Sequence, residues 1–233
     1  MRTLLYIPVI HTSADLGSLA KDVARRAIAD LGEKLWQAHR KTVNKFWDCL
    51  SKYLDTIDVS GMKIYQDGMV AEGEIGQKIV EEGVRAGSRN YELVTSLINR
   101  GAFLVKTEDL GLVKEERDRL IIITQARLNI QRLLAFIKYK FVKNRLLSKR
   151  DKFIVQRINE TLGQDETGII FIGAFHNIKK RLPKDIKVIE IKDTNRIKEY
   201  QALLPFYCRH KERFEKLGKY LVSEIDQIFY KIK

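Results

Sequence analysis

Gly168-Ile169-Ile170-Phe171-Ile172-Gly173-Ala174-Phe175-His176 is the stretch on which the fold turns. The run at 168–172 is continuously apolar and lacks the alternation of a half-exposed strand. It therefore reads as a buried strand of a parallel sheet. Residues 173–177, Gly-Ala-Phe-His-Asn, read as the turn at its carboxyl end. A second run of the same kind, Leu4-Leu5-Tyr6-Ile7-Pro8-Val9-Ile10, opens the chain. Pro8 has no N–H to give to a neighbouring strand, so this strand is expected to end early or to carry a bulge.

Between these runs, strands alternate with helices. After a polar turn, His11-Thr12-Ser13-Ala14-Asp15, a helix is expected over 17–53, with Leu19, Val23, Ala27 and Leu31 on one stripe. Gly32 should kink or divide it, and Trp36, Val43, Phe46, Trp47 and Leu50 continue the apolar face. A short strand at 62–65 ends at Asp67-Gly68, and Gly-Glu-Ile-Gly at 73–76 reads as a turn. A helix over 89–99 has Ser88 as N-cap and Gly101 as its stop, and a strand follows at 102–105. Residues 114–147 are helical, with Ile123, Ile130, Leu134, Ile137 and Phe141 at intervals of seven, four, three and four, and a separate helix is expected over 150–162. A last strand at 186–191 and helices over 197–203 and 210–230 close the chain. The expected fold is α/β, with a mostly parallel sheet and heavy helical decoration. Residues 1–233 form one domain, with a helical insertion at about 114–162.

At 45% hydrophobic and 31% charged residues, the composition excludes a disordered tail and a membrane-embedded protein. The apolar opening is too short for a signal sequence or a membrane span, so a cytoplasmic location is expected. Cys49 and Cys208 stand far apart and form no zinc knuckle. The net charge of +13 is unevenly placed. Residues 1–116 carry 16 basic and 17 acidic side chains, whereas 117–161 alone carry 12 basic and three acidic ones. So basic a region invites an anionic partner, either nucleic acid or a membrane surface. Lys138, Lys143, Arg127 and Arg132 fall between the apolar positions, as they would also do on an ordinary solvated helix face.

His11 follows the first strand and His176 follows the strand at 168–172. Ligands of open α/β sheets bind outside the carboxyl ends of the strands. If these two strands are neighbours, both imidazoles enter one crevice, where a neutral ring ligates a divalent metal or acts as a general base. The plainer alternative is that each caps a helix or hydrogen-bonds a backbone carbonyl. Asp15, Asp67, Glu72, Glu74 and Glu108 are the carboxylates at hand, and Asp67 and Glu108 stand out because strand ends converge in such a fold. Arg150-Asp151 opens the helix at 150–162. Asp151 would then complement the helix dipole, and Arg150 could reach the crevice to hold an anion or a developing oxyanion. Arg117-Asp118 repeats the dipeptide. No P-loop, nucleophile elbow or His-Glu-x-x-His motif is present.

A strand ending in His11, a helix beginning Arg150-Asp151 and the late Gly173-Ala174-Phe175-His176 together resemble the TraB/Tiki, erythromycin-esterase and ChaN superfamily. The resemblance covers four short patches within residues 4–191. Pro8 stands where that family has a Gly, and Asp67 stands where it has a strand-end Glu. The resemblance implies a strand-end pocket with a hydrolase-like or metal-binding site, Arg150 being the participant of its dipeptide. The expected site is therefore His11, His176 and Asp67 as ligands of one divalent metal ion or as bases, with Arg150 as anion clamp. A metal-assisted hydrolase acting on a small-molecule or peptide substrate follows. The alternative is a non-catalytic protein that binds nucleic acid or an acidic partner through 117–161.

Overall fold

The computed structural model describes residues 1–12, 14–15, 20–126 and 128–225. Its centre is a five-stranded sheet made of β1 (Arg2–Val9), β2 (Lys63–Gln66), β3 (Phe103–Val105), β4 (Thr167–Gly173) and β5 (Ile186–Glu190), in the order β3-β2-β4-β1-β5. Every strand pairing among the described residues is parallel. The two runs read as buried strands are neighbours, with Leu4 opposite Gly168 and Val9 opposite Gly173.

Pro8 is accommodated without a bulge in the register. β1 pairs with β4 along its length but with β5 only as far as Tyr6, where the Ile191 N–H donates to the Tyr6 carbonyl. Even-numbered residues of β1 present their main-chain groups to β5. The donor that Pro8 lacks would thus point beyond the last β5 bond, where no ladder needs it.

Both faces of the sheet are covered. Leu5, Ile7, Val9, Ile64, Ile169 and Phe171 pack with α2 (Glu33–Asp55), α4 (Arg89–Asn99), α7 (Thr194–Leu203) and α8 (Lys211–Leu221). On the other face Leu4, Tyr6, Tyr65, Ile170 and Ile172 meet Ile154, Ile158 and Leu162. The first two of these belong to α6 (Asn129–Thr161), whose C-terminal half alone covers most of that side. α1 (Ala20–Leu31) and α2 divide at Gly32, whose φ of 81° suits glycine. The expected helix start at Gly17 and Leu19, together with Ser13, Arg127 and Tyr230, lies outside the described residues, while the helix expected over 210–230 already ends at Leu221, with Val222 as its C-cap.

Two expectations need correction. Residues 73–76 are the first turn of a helix, α3 (Gly73–Arg85). Glycine is used there for close packing: a Cβ on Gly76 would stand 3.0 Å from the Ala71 carbonyl oxygen, and one on Gly83 would stand 2.1 Å from the Tyr91 ring. The second correction concerns the break expected before Arg150. α5 (Leu110–Gln125) and α6 are separated near residues 126–128, and α6 runs unbroken for 33 residues through 147–150. Arg150 and Asp151 therefore sit in mid-helix, and Asp151 is not a first-turn capping residue.

The aromatic packing of α2 on α7 and α8 contains a titratable group. His39 is buried between Trp36 and Tyr200, with its Nδ1 3.0 Å from the Tyr200 hydroxyl, and Tyr200 stacks on Phe214. Burial pushes the imidazole down to about 4 from its ordinary 6.5. The unfolded chain thus takes up this proton near pH 6.5, while the folded chain resists until about pH 4. Acid therefore favours unfolding: the loss begins as pH falls through 6.5 and reaches about 3 kcal/mol by pH 4. In urea unfolding, the stability of the wild type relative to His39→Gln should fall by about 3 kcal/mol between pH 6.5 and pH 4.

Candidate metal centre

The carboxyl ends of β1, β2, β3 and β4 meet on one edge of the sheet, and each delivers a polar side chain. His11 lies two residues beyond β1, Asp67 directly follows β2, Glu108 lies three beyond β3, and His176 three beyond β4. Asp67 is held in place from both sides: its N–H donates to the Phe171 carbonyl, and its Oδ2 accepts from the Gly173 N–H at 3.0 Å. A Cβ at position 173 would stand 3.0 Å from that Oδ2 and 3.6 Å from both His11 Nε2 and His176 Cδ2. Glycine is needed there so that three functional side chains can close over the backbone.

The two histidines converge on one oxygen. His11 Nε2 lies 3.4 Å, and His176 Nε2 3.5 Å, from Asp67 Oδ2. The two nitrogens are therefore no more than about 7 Å apart, within reach of a shared ligand. His176 is buried and its orientation is set from behind, where Nδ1 donates to Asp151 Oδ1 at 2.7 Å. The other Asp151 oxygen accepts from the Asn177 N–H at 3.0 Å. A carboxylate bonded to one imidazole nitrogen fixes the ring and leaves the opposite nitrogen for a metal or a substrate. His11 is more open, and Asp15 Oδ2 lies 4.0 Å from its Nδ1.

Arg150 occupies the floor of the crevice. Its guanidinium donates to Asp67 Oδ1 at 2.7 Å, to both oxygens of the fully buried Glu108, and to Glu116 of α5, whose other oxygen accepts from the Tyr139 hydroxyl at 2.8 Å. The donors expected to clamp an external anion are thus given to internal carboxylates. The arginine neutralises acidic groups that could not otherwise share one buried space.

Ionisation follows from these contacts. Burial would push His176 down, but the Asp67 charge and the hydrogen bonds to Asp151 and Asp67 outweigh it and raise the ring to about 10. Burial opposes the charge of His11 too, and its bond to Asp67 again prevails and raises it. Asp67 stays well below the usual carboxylate range: burial opposes ionisation, but His176, His11 and Arg150 prevail. Glu108 goes the other way, to about 7, because burial and the charge of Asp67 exceed the help from Arg150. A bound cation would take the place of protons in this cluster.

Asp67, Glu108 and His176 each offer a ligand atom within 4.8 Å of the others, which makes them a candidate triad for one divalent ion. The donor set fits such an ion in its chemistry, with two carboxylates and one imidazole oriented by a further carboxylate. His11 borders the triad through Asp67. The expected residues His11, His176, Asp67 and Arg150 are therefore all brought together. Asp15 stands at the edge, and Glu72 and Glu74 lie apart: Glu72 accepts from the Lys106 N–H and pairs with Arg157, and Glu74 is in the first turn of α3. Glu108 had only a strand-end position to recommend it. Asp151 stood out only as a helix-capping residue beside Arg150, and Glu116 and Tyr139 carried no local signal.

A cavity of about 260 Å³ opens over the cluster, lined in part by His11, Asp67, Asn90, Glu116 and Arg150. Gln66 also lines it, and neither the Gln66 Oε1 nor either polar atom of the Asn90 carboxamide has a partner among the described residues, although both side chains are buried. The chain matches no family model, no curated protein and no solved structure.

Two outcomes are expected from this geometry. Arg150→Met leaves three carboxylates facing one another and should cost about 3–5 kcal/mol at neutral pH in urea unfolding. The deficit should shrink toward acid as those carboxyls protonate. Asn90→Leu removes an unpaired buried amide of similar size, so the unliganded protein should gain about 1–3 kcal/mol in the same assay.

Proposed function

We propose that the strand-end cluster binds one divalent cation through Asp67, Glu108 and His176, with His11 beside it, and that the protein is a metal-assisted hydrolase. The observation that carries this reading is the arrangement around His176. Its Nδ1 is tied to Asp151, and its Nε2 is aimed at the oxygen of Asp67 that His11 also approaches. A purely structural ion pair would not require two imidazoles on one carboxylate oxygen. The resemblance of Gly173-Ala174-Phe175-His176, Arg150-Asp151 and His11 to the TraB/Tiki, erythromycin-esterase and ChaN superfamily supports the same reading.

A divalent ion held in such a site supplies Lewis acidity, polarising a scissile carbonyl or phosphoryl group and acidifying water. The chain's own residues supply the remainder. His11, the more exposed of the two imidazoles, is placed to accept or return a proton at its Nε2. Arg150 holds Asp67 and Glu108 in position and keeps the crevice from accumulating negative charge. Asn90 and Gln66 offer a donor and acceptors to a polar group of the substrate. The cavity suits a small molecule or a short peptide segment.

Titration of chelator-treated protein with Mn²⁺ or Zn²⁺ in a calorimeter tests the assignment. One ion per chain is expected, with His176→Ala weakening it at least about 100-fold and Asp151→Asn about 10–100-fold. Equal affinity in the wild type and in His176→Ala, with both folded by circular dichroism, would sink the metal site. Metal-restored cleavage of ester or peptide reporters, lost in His11→Ala, would support the hydrolytic step.

A further inference from the structure

α5 and α6 form an antiparallel pair whose base belongs to the site, through Glu116, Tyr139 and Arg150. Its outer part does not. Along α6 the residues Ile130, Leu133, Leu134, Ile137 and Phe141 are between 41% and 82% exposed. At about 3.6 residues per turn they fall on one stripe. Ala135, Tyr139, Val142 and Leu146 occupy the opposite face, on the side from which Tyr139 reaches Glu116 of α5. The apolar stripe is therefore turned away from the protein.

Apart from Asp30 of α1, which pairs with Arg26 and borders the groove at Leu133, the charges beside it are basic. From Arg119 to Arg150 the sequence holds nine basic and no acidic side chains. By the same helical geometry, Lys138 and Arg145 flank one edge of the stripe and Lys140 the other. A large-residue apolar stripe bordered by lysine and arginine is the pattern of a helix lying in a membrane interface. No helix among the described residues is long and apolar enough to cross a membrane, so the helix would lie along the surface.

We propose that the α5–α6 hairpin docks the protein on an anionic lipid bilayer, with Ile130, Leu133, Leu134, Ile137 and Phe141 entering the interface and the flanking lysines meeting the headgroups. Two other occupants fit less well. A second copy set stripe to stripe would bring the basic rows together with no carboxylate in either segment to offset them. Nucleic acid would satisfy the lysines and could stack on Phe141, but the four aliphatic residues of the stripe neither stack on bases nor bond phosphates. Docking would hold the cavity close to the bilayer, because α5 supplies Val113, Glu116, Arg117 and Leu120 to its wall.

Sedimentation of the full chain with vesicles tests this. One set is phosphatidylcholine alone, and the other contains roughly one-third phosphatidylglycerol. Binding to the anionic vesicles only is expected. Leu133→Gln with Leu134→Gln, and separately Lys138→Glu with Lys140→Glu, should each reduce the bound fraction about tenfold or more. Lys211→Glu with Lys216→Glu on α8 makes the same charge change elsewhere and should leave binding intact. Phe141→Trp gives an independent reading, since the emission of the introduced indole should shift to the blue on anionic vesicles. The proposal is overturned by equal or absent binding to the two vesicle types. It is overturned as well if the leucine pair leaves binding unchanged, if the emission of the Phe141→Trp variant does not shift, or by a stable dimer that the leucine changes dissolve. Metal affinity plays no part in these measurements, so this result and that of the metal titration stand apart.

Discussion

The buried guanidinium of Arg150 is the contact on which the rest of the site depends. It reaches Asp67 after β2, Glu108 after β3 and Glu116 on α5, and so ties two strand ends and the helical hairpin to the middle of α6. Gathering three carboxylates in a space that excludes water costs several kcal/mol per charge unless a cation is placed among them. Once one is placed, Asp67 remains ionised, and its second oxygen is left to receive His11, His176 and the Gly173 N–H. The neighbouring Asp151 completes the arrangement by orienting His176 from the same helix. One turn of α6 thus neutralises one side of the crevice and aims the imidazole on the other.

Strand order explains why these groups can meet. β4 lies between β2 and β1, so residues that follow the first, second and fourth strands project from adjacent positions on one edge. All pairings being parallel, these ends are carboxyl ends, the side on which open α/β sheets place their ligands. α6 covers the opposite layer almost alone, which accounts for its length. Its C-terminal half packs Ile154 and Ile158 against the sheet, its middle carries Arg150 and Asp151, and its N-terminal half extends past the core with α5. The same helix therefore serves the core, the site and the exposed basic surface, and its character changes along its length accordingly.

Much of the architecture was legible in the chain. The buried strands at 2–9 and 167–173, the division at Gly32, the Ser88 cap and the helix over 89–99 each follow from local chemistry: apolar runs, a glycine at positive φ, a hydroxyl that accepts the Tyr91 N–H. His11, Asp67 and His176 could be singled out because each closely follows an apolar strand. The failures were of another kind. Gly73 and Gly76 read as turn residues because local pattern cannot reveal that the Ala71 carbonyl, Leu104 and the Tyr91 ring press against α3. The helix break expected at 148–149 was suggested by the Arg-Asp pair, but no proline or glycine stands there to interrupt the hydrogen bonds.

By itself, then, the sequence determined the parallel sheet, the strand-end positions of the histidines and Asp67, and the uneven placement of basic charge. These depend on residue type and on spacing over a few positions. Only the tertiary structure decided what those residues do to one another. Asp151 and His176 are 25 positions apart, and Arg150 and Asp67 are 83 apart. Their pairing depends on the order of strands in the sheet and on the path of α6 across it, which no local pattern encodes. The same holds for the apolar stripe on α6. Its spacing is written in the chain, whereas its exposure depends on which face α5 leaves uncovered.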